Sequence, residues 1–387
     1  MNPAAILISD TSGLAAFCDR QSGAEFVTVD TEFMRETTFW AKLCLVQVAG
    51  PDEAMCIDPL APGMDLAPLY KLFANENVLK VFHAARQDLE IFLHEGGALP
   101  HPVFDTQVAA MVCGFGDQVG YETLVAKLAD AKLDKSQRFT DWSRRPLTDR
   151  QLKYALSDVT HLRKAYTQLR KRLDRDGRGA WLAEEMAVLT TPATYRIEPR
   201  EAYKRIKART RSARMLGVLR ELAAWREDTA RALDWPRGRV AKDDALLEIA
   251  AHPPATLEDL KRSRLAKQLA SERFAPGVLA AAARGQALPE DQLPPLPPDD
   301  NGNQGPRAVV ELLRLLLKIR AEQNHVAPRL IATSDDIDAM ALSDEADVPA
   351  LHGWRRELFG ADALKLKHGK LAIALADNGR KVEVFER

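Results

Sequence analysis

The sequence predicts an α/β domain built on a mixed sheet, followed by two small all-α domains. Three observations carry that prediction. Up to about residue 110, short β-branched or aromatic runs alternate with amphipathic stretches. From Tyr121 onward the apolar residues recur at helical spacing. A proline-dense break over residues 288–306 then separates two helical segments that resemble each other.

Taken in order, Phe26-Val27-Thr28-Val29 is a buried-strand signal, as are the runs Leu43 to Val48 and Ala54 to Ile57. The short spacing between these three reads as an antiparallel meander. A helix is expected over Leu66 to Ala74, a strand over Val78 to Phe82, and a helix over Gln87 to His94. A short strand at Val103-Phe104 and a helix from Thr106 follow. A meander followed by βαβ-like units makes the sheet mixed in direction. The clearest helix is Leu147 to Leu173. Thr148 serves as its N-cap, with Gln151 as capping-box partner. Leu152, Ala155, Leu156, Val159, Leu162 and Tyr166 fall on one face.

Domain boundaries follow from composition. Residues 1–190 form the α/β domain and 191–210 a basic connector. Residues 211–287 form the first helical domain, 288–306 a Pro-rich linker and 307–387 the second helical domain. Tyr195 to Met215 carries Arg196, Arg200, Lys204, Arg205, Lys207, Arg209, Arg211 and Arg214 against only Glu198 and Glu201. The two helical segments share a pattern at an offset of roughly 91–94 residues. Each opens with a long Leu- and Arg-rich helix (Leu216 to Ala232, Val309 to Gln323). Each continues with a proline (Pro236, Pro328), an apolar step (Val240, Ile331) and an aspartate pair (Asp243-Asp244, Asp335-Asp336). A short β-like tail, Val382 to Phe385, ends the chain.

Of the 387 residues 46 % are hydrophobic, which excludes disorder as the dominant state. The net charge of −1 excludes a polycation that wraps nucleic acid by bulk charge, so any such contact needs a local basic patch. Cys18, Cys44, Cys56 and Cys113 form no C-x-x-C pair, and buried free thiols in a reducing compartment are expected. The apolar start at Ala4 to Ile8 lacks a basic flank and a cleavage site, and no window approaches 18 apolar residues. A soluble cytoplasmic protein with no membrane contact is expected.

Four carboxylates stand where chemistry is plausible. Asp30 and Glu32, at positions i and i+2 after the first strand, point the same way. They repel each other, and burying them without a counter-charge is costly. Either the strand end is solvated or a divalent cation sits there. Asp88 opens a helix, where an acid is favoured by the helix dipole whether or not it binds metal. His83, at the end of the preceding strand, reads equally as a satisfied core histidine. Tyr154 and Asp158 share a helix face at i, i+4 spacing, which fits either a surface hydrogen bond or a pair facing a cleft. The ordered set outweighs its members. Four carboxylates can hold two Mg²⁺ or Mn²⁺ ions, which lie about 3.5–4 Å apart in two-metal sites. Such ions activate a water toward phosphorus and stabilise the leaving 3′-oxygen, while Tyr154 orients that water.

The motifs resemble those of a known family. Phe26 to Arg35, containing Asp30-Thr31-Glu32, resembles the first exonuclease motif of the DEDD superfamily in its ribonuclease D form. Phe82-His83-Ala84-Ala85-Arg86-Gln87-Asp88-Leu89 resembles the second. Asp141-Trp142-Ser143-Arg144-Arg145-Pro146 through Tyr154 to Asp158 resembles the third, in the tyrosine-bearing subclass. The helical segments resemble tandem helicase-and-RNase-D C-terminal (HRDC) domains. Gly353-Trp354-Arg355 to Leu358-Phe359-Gly360 in the last one matches well, and the first copy matches less closely.

The resemblance implies an RNase-H-like fold and 3′→5′ hydrolysis of RNA, notably trimming of tRNA precursors with 3′ extensions by a monomer that releases nucleoside 5′-monophosphates. It implies that Asp30, Glu32, Asp88 and Asp158 hold the metals and that Tyr154 orients water. Asp105 is expected to be structural, as an N-cap of the next helix. For substrate contacts the expectation is Phe33 and Met34 against the terminal base, with His83, Gln137 and Trp142 lining the cleft; ordinary core is the rival reading for Phe33. The basic run is an RNA track or a solvated helix. Two rival functions stay open: a 3′→5′ DNA exonuclease, and a nucleic-acid-binding scaffold without catalysis. The complete acid set argues against the scaffold.

Overall fold

The computed structural model describes residues 6–134, 136–296 and 306–387. The expected linker lies partly outside them, at residues 297–305, as do Lys135 and part of the apolar start. Two compact units emerge. One comprises, among the described residues, 6–32, 45–191 and 306–387; the other comprises 33–44 and 192–296.

A six-stranded mixed sheet organises the first part of the chain. It contains β1 (Leu7–Ile8), β2 (Phe26–Met34), β3 (Lys42–Ala49), β4 (Ala54–Ile57), β5 (Leu79–Phe82) and β6 (Val103–Asp105) in the order β1-β4-β3-β2-β5-β6. β1 runs parallel to β4, β3 antiparallel to β4, and β5 parallel to both β2 and β6. The helices of this region are α1 (Thr11–Gln21), α2 (Ala67–Phe73), α3 (Arg86–Gly96), α4 (Thr106–Val112), α5 (Tyr121–Leu128), α6 (Asp149–Arg175) and α7 (Gly179–Leu189). β2 is longer than the apolar run suggests. It continues through Asp30 and Glu32, so the acids lie within the strand rather than after it.

The predicted capping box of α6 is present, with Thr148 and Gln151 satisfying each other's backbone. Leu152, Ala155, Val159, Leu162 and Tyr166 are buried, as the periodicity requires. Each of the leucines and the valine contributes about 1.5–3 kcal/mol by leaving water. Cys18, Cys44 and Cys56 are buried free thiols.

Beyond 3₁₀ turns at 192–194 and 199–205, the second unit contains α8 (Ala213–Leu233), α9 (Arg237–Val240), α10 (Asp243–Ala251), α11 (Leu257–Arg262) and α12 (Ala275–Gln286). Its core includes Leu219, Leu222, Leu246, Val278 and Ala282. Within the basic run, Ala202 and Ile206 belong to this core, while Arg200 pairs with Glu221 at 3.3 Å. The described start of the linker is held to α8: the Arg220 guanidinium donates to the Gln292 carbonyl at 2.9 Å.

In the first unit, α13 (Arg307–Asn324), α14 (Pro328–Ile331) and α15 (Ser334–Leu342) repeat the path of α8, α9 and α10. α8 ends at Asp234 in the left-handed region (φ 47°), and α13 ends at His325 likewise (φ 49°). Each copy then has a four-residue helix with a proline just before it (Pro236) or as its first residue (Pro328), an extended alanine (Ala241, Ala332) and a nine-residue helix. The remaining part is a helical stretch over 353–367 and an antiparallel hairpin, β7 (Leu371–Ala376) and β8 (Lys381–Glu386). Trp354 of that stretch stacks on Trp181 with centroids 4.6 Å apart, and Arg355 pairs with Glu184 at 2.9 Å.

Candidate active site

β2 pairs with β5 over Phe26 to Thr28. Asp30 and Glu32 therefore lie beyond the paired part, toward the carboxyl end of a parallel pair, where open α/β sheets place their ligands. Strand alternation buries Val29 and Thr31 and sends both acids to the other face. α6 supplies Asp158 to the same place. One carboxylate oxygen from each of Asp30, Glu32 and Asp158 lies within 4.8 Å of the others.

Asp88 reaches the neighbourhood from the first turn of α3. It is buried, and its carboxylate accepts a hydrogen bond from the Thr31 hydroxyl. Three of the four expected acids thus meet directly, and the fourth stands beside them on a threonine.

The electrostatics are those of crowded, buried acids. Burial first, and then the Asp158 carboxylate, raise Asp30 well above the carboxylate range. Burial followed by Asp30, Asp158 and Asp88 pushes Glu32 up to about 10. Burial and Asp30 raise Asp88, while the Thr31 hydrogen bond pulls it down. Burial lifts Asp158 to about 7 against a hydrogen bond from Tyr154. Such a cluster retains protons unless a multivalent cation replaces them. Hard carboxylate oxygens at this separation are the donor set that Mg²⁺ and Mn²⁺ take.

Tyr154 is half-buried and hydrogen-bonded to Asp158. Burial and the Asp158, Glu32 and Asp30 charges raise its phenol, so it stays protonated. Trp142, expected in the cleft, is instead buried at 2 % exposure, with its ring centroid 6.0 Å from that of Tyr154. It supports the phenol from within the core and offers no face to a ligand.

Asp105 is the expected N-cap of α4, accepting from the Gln107 N–H at 2.7 Å. It also accepts from the Ala84 and Ala85 N–H groups at 3.0 and 2.8 Å. Ala84 has φ 58°, which is unfavourable for alanine. Asp105 therefore fixes the turn that launches α3 and aims Asp88.

A cleft of about 330 Å³ adjoins the acids, lined by Asp30, His83, Tyr121, Arg138, Tyr154 and Asp158 among others. His83 is placed there as expected, with its Nδ1 3.0 Å from the Thr106 hydroxyl. Gln137 is half-buried in the loop before α6, and its side chain donates to Ser136 at 3.0 Å. Phe33 and Met34 are the half-buried last residues of β2.

Sequence reasoning missed Tyr121, whose hydroxyl donates to the Asp158 carbonyl and braces α6. It also missed Arg145, which forks onto buried Asp58 at 2.7 and 2.6 Å. Neither has a local signal, because each partner is distant in sequence. Among the described residues no helix is long and apolar enough to cross a membrane.

Residues 5–174 match the 3′-5′ exonuclease family, and residues 215–281 match the HRDC domain family. The HRDC match falls on the helical copy whose motifs resemble that family less closely. The chain is 54 % identical over 385 residues to ribonuclease D of Jannaschia sp., covering 98 % of this chain and 99 % of that protein. It is 50 % identical over 385 residues to ribonuclease D of Granulibacter bethesdensis, covering 99 % and 97 %. The structure of Escherichia coli RNase D, described as an exoribonuclease involved in structured RNA processing, matches with a TM-score of 0.81 at 29 % identity, over 94 % of this chain and 98 % of that one. The catalytic core of RRP6 from Trypanosoma brucei shares the fold, with a TM-score of 0.56 at 22 % identity over 73 % and 80 %.

Proposed function

The chain belongs to the ribonuclease D family, and on that premise we propose that it trims the 3′ ends of structured RNA, tRNA precursors with 3′ extensions among them, one nucleoside 5′-monophosphate at a time. It is a 3′→5′ exoribonuclease. The observation that carries the reading is the trio Asp30, Glu32 and Asp158 within 4.8 Å beside the protonated Tyr154.

Asp30, Glu32 and Asp158, with Asp88 turned from Thr31, would hold two divalent cations, Mg²⁺ or Mn²⁺. Cations bound there supply Lewis-acid activation of water and stabilisation of the charge that grows on the leaving oxygen. The chain's own part is positioning. Tyr154 donates its proton to Asp158 and keeps a lone pair on its oxygen to accept from the attacking water, which fixes that water's orientation. Tyr121 and Trp142 hold the helix and ring that carry this phenol. The cleft volume lies at the lower end of the roughly 300–1,000 Å³ of small-ligand pockets, which fits a single terminal nucleotide. His83 and Arg138 are then the wall residues that meet it, with Gln137, Phe33 and Met34 as further contacts.

The repeated path of α8–α10 in α13–α15 supports reading both helical copies as HRDC modules, over 211–287 and 307–387. Residues 1–190 would then be the exonuclease domain, with 191–210 as connector and 288–306 as linker. Free buried thiols fit a reducing, cytoplasmic setting.

The test uses purified protein and a 3′-extended tRNA with Mg²⁺, Mn²⁺ or EDTA, alongside a DNA strand of the same sequence. Stepwise shortening from the 3′ end with 5′-monophosphate products, on RNA only and only with metal, is expected. Internal cuts, equal loss of the DNA or full activity in EDTA would overturn the proposal.

A further inference from the structure

The corner that ends α8 is occupied. Asp234 stands in the left-handed region, and its Oδ1 accepts from the backbone N–H groups of Phe39 and Trp40, each at 3.0 Å. These residues lie at the tip of the connection between β2 and β3, and the tip, residues 33–44, belongs to the same compact unit as α8. Phe39 is buried there against Ala230 and Val240. The Arg237 guanidinium lies 4.4 Å from the Phe39 ring centroid. Arg237 is in turn anchored on buried Glu227 at 2.5 Å. The hairpin tip is therefore held by a charge-assisted pair of hydrogen bonds, an apolar socket and a cation over a ring.

The equivalent corner is used again in the second copy. There the His325 and Asn324 carbonyls accept from the Arg178 guanidinium at 3.0 and 2.6 Å, and the Ala327 N–H donates to the Met111 carbonyl at 3.0 Å. A Cβ on Gly114 would fall 2.5 Å from the His325 oxygen, so the backbones meet closely. In both copies, the left-handed residue after the long helix docks on chain from the first 190 residues.

The two dockings differ in what they hold. The tip held by Asp234 continues directly into the end of β2, which carries Asp30, Glu32, Phe33 and Met34. Since β2 is paired with β5 only as far as Thr28, the end that carries the acids has β3 as its sheet neighbour, and β3 leaves the same tip. We propose that Asp234 is a positioning residue for the acids of β2: the first helical copy acts on turnover by holding the hairpin tip, and not only by touching RNA. The effect on turnover rests on the exoribonuclease reading.

Two variants of the full chain separate the possibilities. Asp234→Gly keeps the left-handed backbone and removes the acceptor. Asp234→Asn keeps an acceptor oxygen. Each is tested for kcat and KM on a single-stranded RNA, for Mn²⁺ affinity by calorimetry and for amide exchange over residues 33–44. Asp234→Gly is expected to exchange faster at the tip, bind Mn²⁺ more weakly and lose about ten- to a hundredfold in kcat, since small misplacements of reacting groups cost that much. Its KM should stay within about twofold, and Asp234→Asn should behave like the parent. A loss confined to KM would assign Asp234 to RNA contact and overturn the proposal. So would parental kcat in a glycine variant whose tip exchanges fast, or tip exchange unchanged in that variant. If the parent degrades no RNA, the exoribonuclease reading has failed, and exchange together with Mn²⁺ affinity decides the positioning role alone.

Discussion

Raising the pH of the metal-free protein should destabilise it. Asp158 is buried, and its carboxyl is raised from 3.8 to about 7. In the folded state it keeps its proton to near neutrality, whereas the unfolded chain releases it near pH 4. The folded state thus binds the extra proton between these limits, and stability falls as pH rises through them. Three pH units correspond to about 4 kcal/mol, lost by the time pH passes 7. Glu32, raised to about 10, adds to the decline over the same range and extends it to higher pH. Urea unfolding followed by circular dichroism in EDTA, at intervals from pH 5 to pH 8, measures the slope. Asp158→Asn should make the slope shallower below pH 7, because the amide has no proton to lose, while the other raised acids keep their share. Mn²⁺ at a hundred times its Kd should restore about 2.7 kcal/mol at pH 8. A metal-free protein equally stable across this range, or one whose slope Asp158→Asn leaves unchanged, would refute the claim that these acids are crowded and uncompensated.

Other predictions follow from the same geometry. Asp30→Asn should leave the circular dichroism spectrum unchanged and lower single-turnover RNA cleavage by about a thousandfold or more, as expected when several kcal/mol of transition-state stabilisation goes. Tyr154→Phe should cut kcat by about ten- to a hundredfold while KM moves little, because the lost hydroxyl orients water and does not grip RNA; steady-state kinetics separate the two. Asp105→Ala strands three backbone N–H groups and should cost about 3–5 kcal/mol in urea unfolding, with slower turnover through a displaced Asp88.

Much of this was legible in the chain because local chemistry decides it. α6 is marked by a capping box and one apolar face, and both are present. The tandem helical pattern is legible because a proline, an apolar step and an aspartate pair recur where the backbone repeats its turns. What was not legible depends on partners far along the chain. β1 is two residues long and exists through pairing with β4 some fifty residues away. Asp88 rests on Thr31 through the placement of α3 against β2, which no spacing encodes. Trp142, beside the third motif, reads as cleft wall, and packing made it core. Asp234 meets Phe39 across 195 positions, and its residue type signals a helix cap and nothing more.

The central claim is that Asp30, Glu32, Asp88 and Asp158 converge on a pair of dications. Anomalous diffraction from crystals soaked in Mn²⁺ tests it most directly. Two peaks about 3.5–4 Å apart are expected, touching Asp30, Glu32 and Asp158, with Asp88 swung from Thr31 to complete the set. Empty density among these carboxylates at saturating Mn²⁺, with Asp88 still on Thr31, would contradict it.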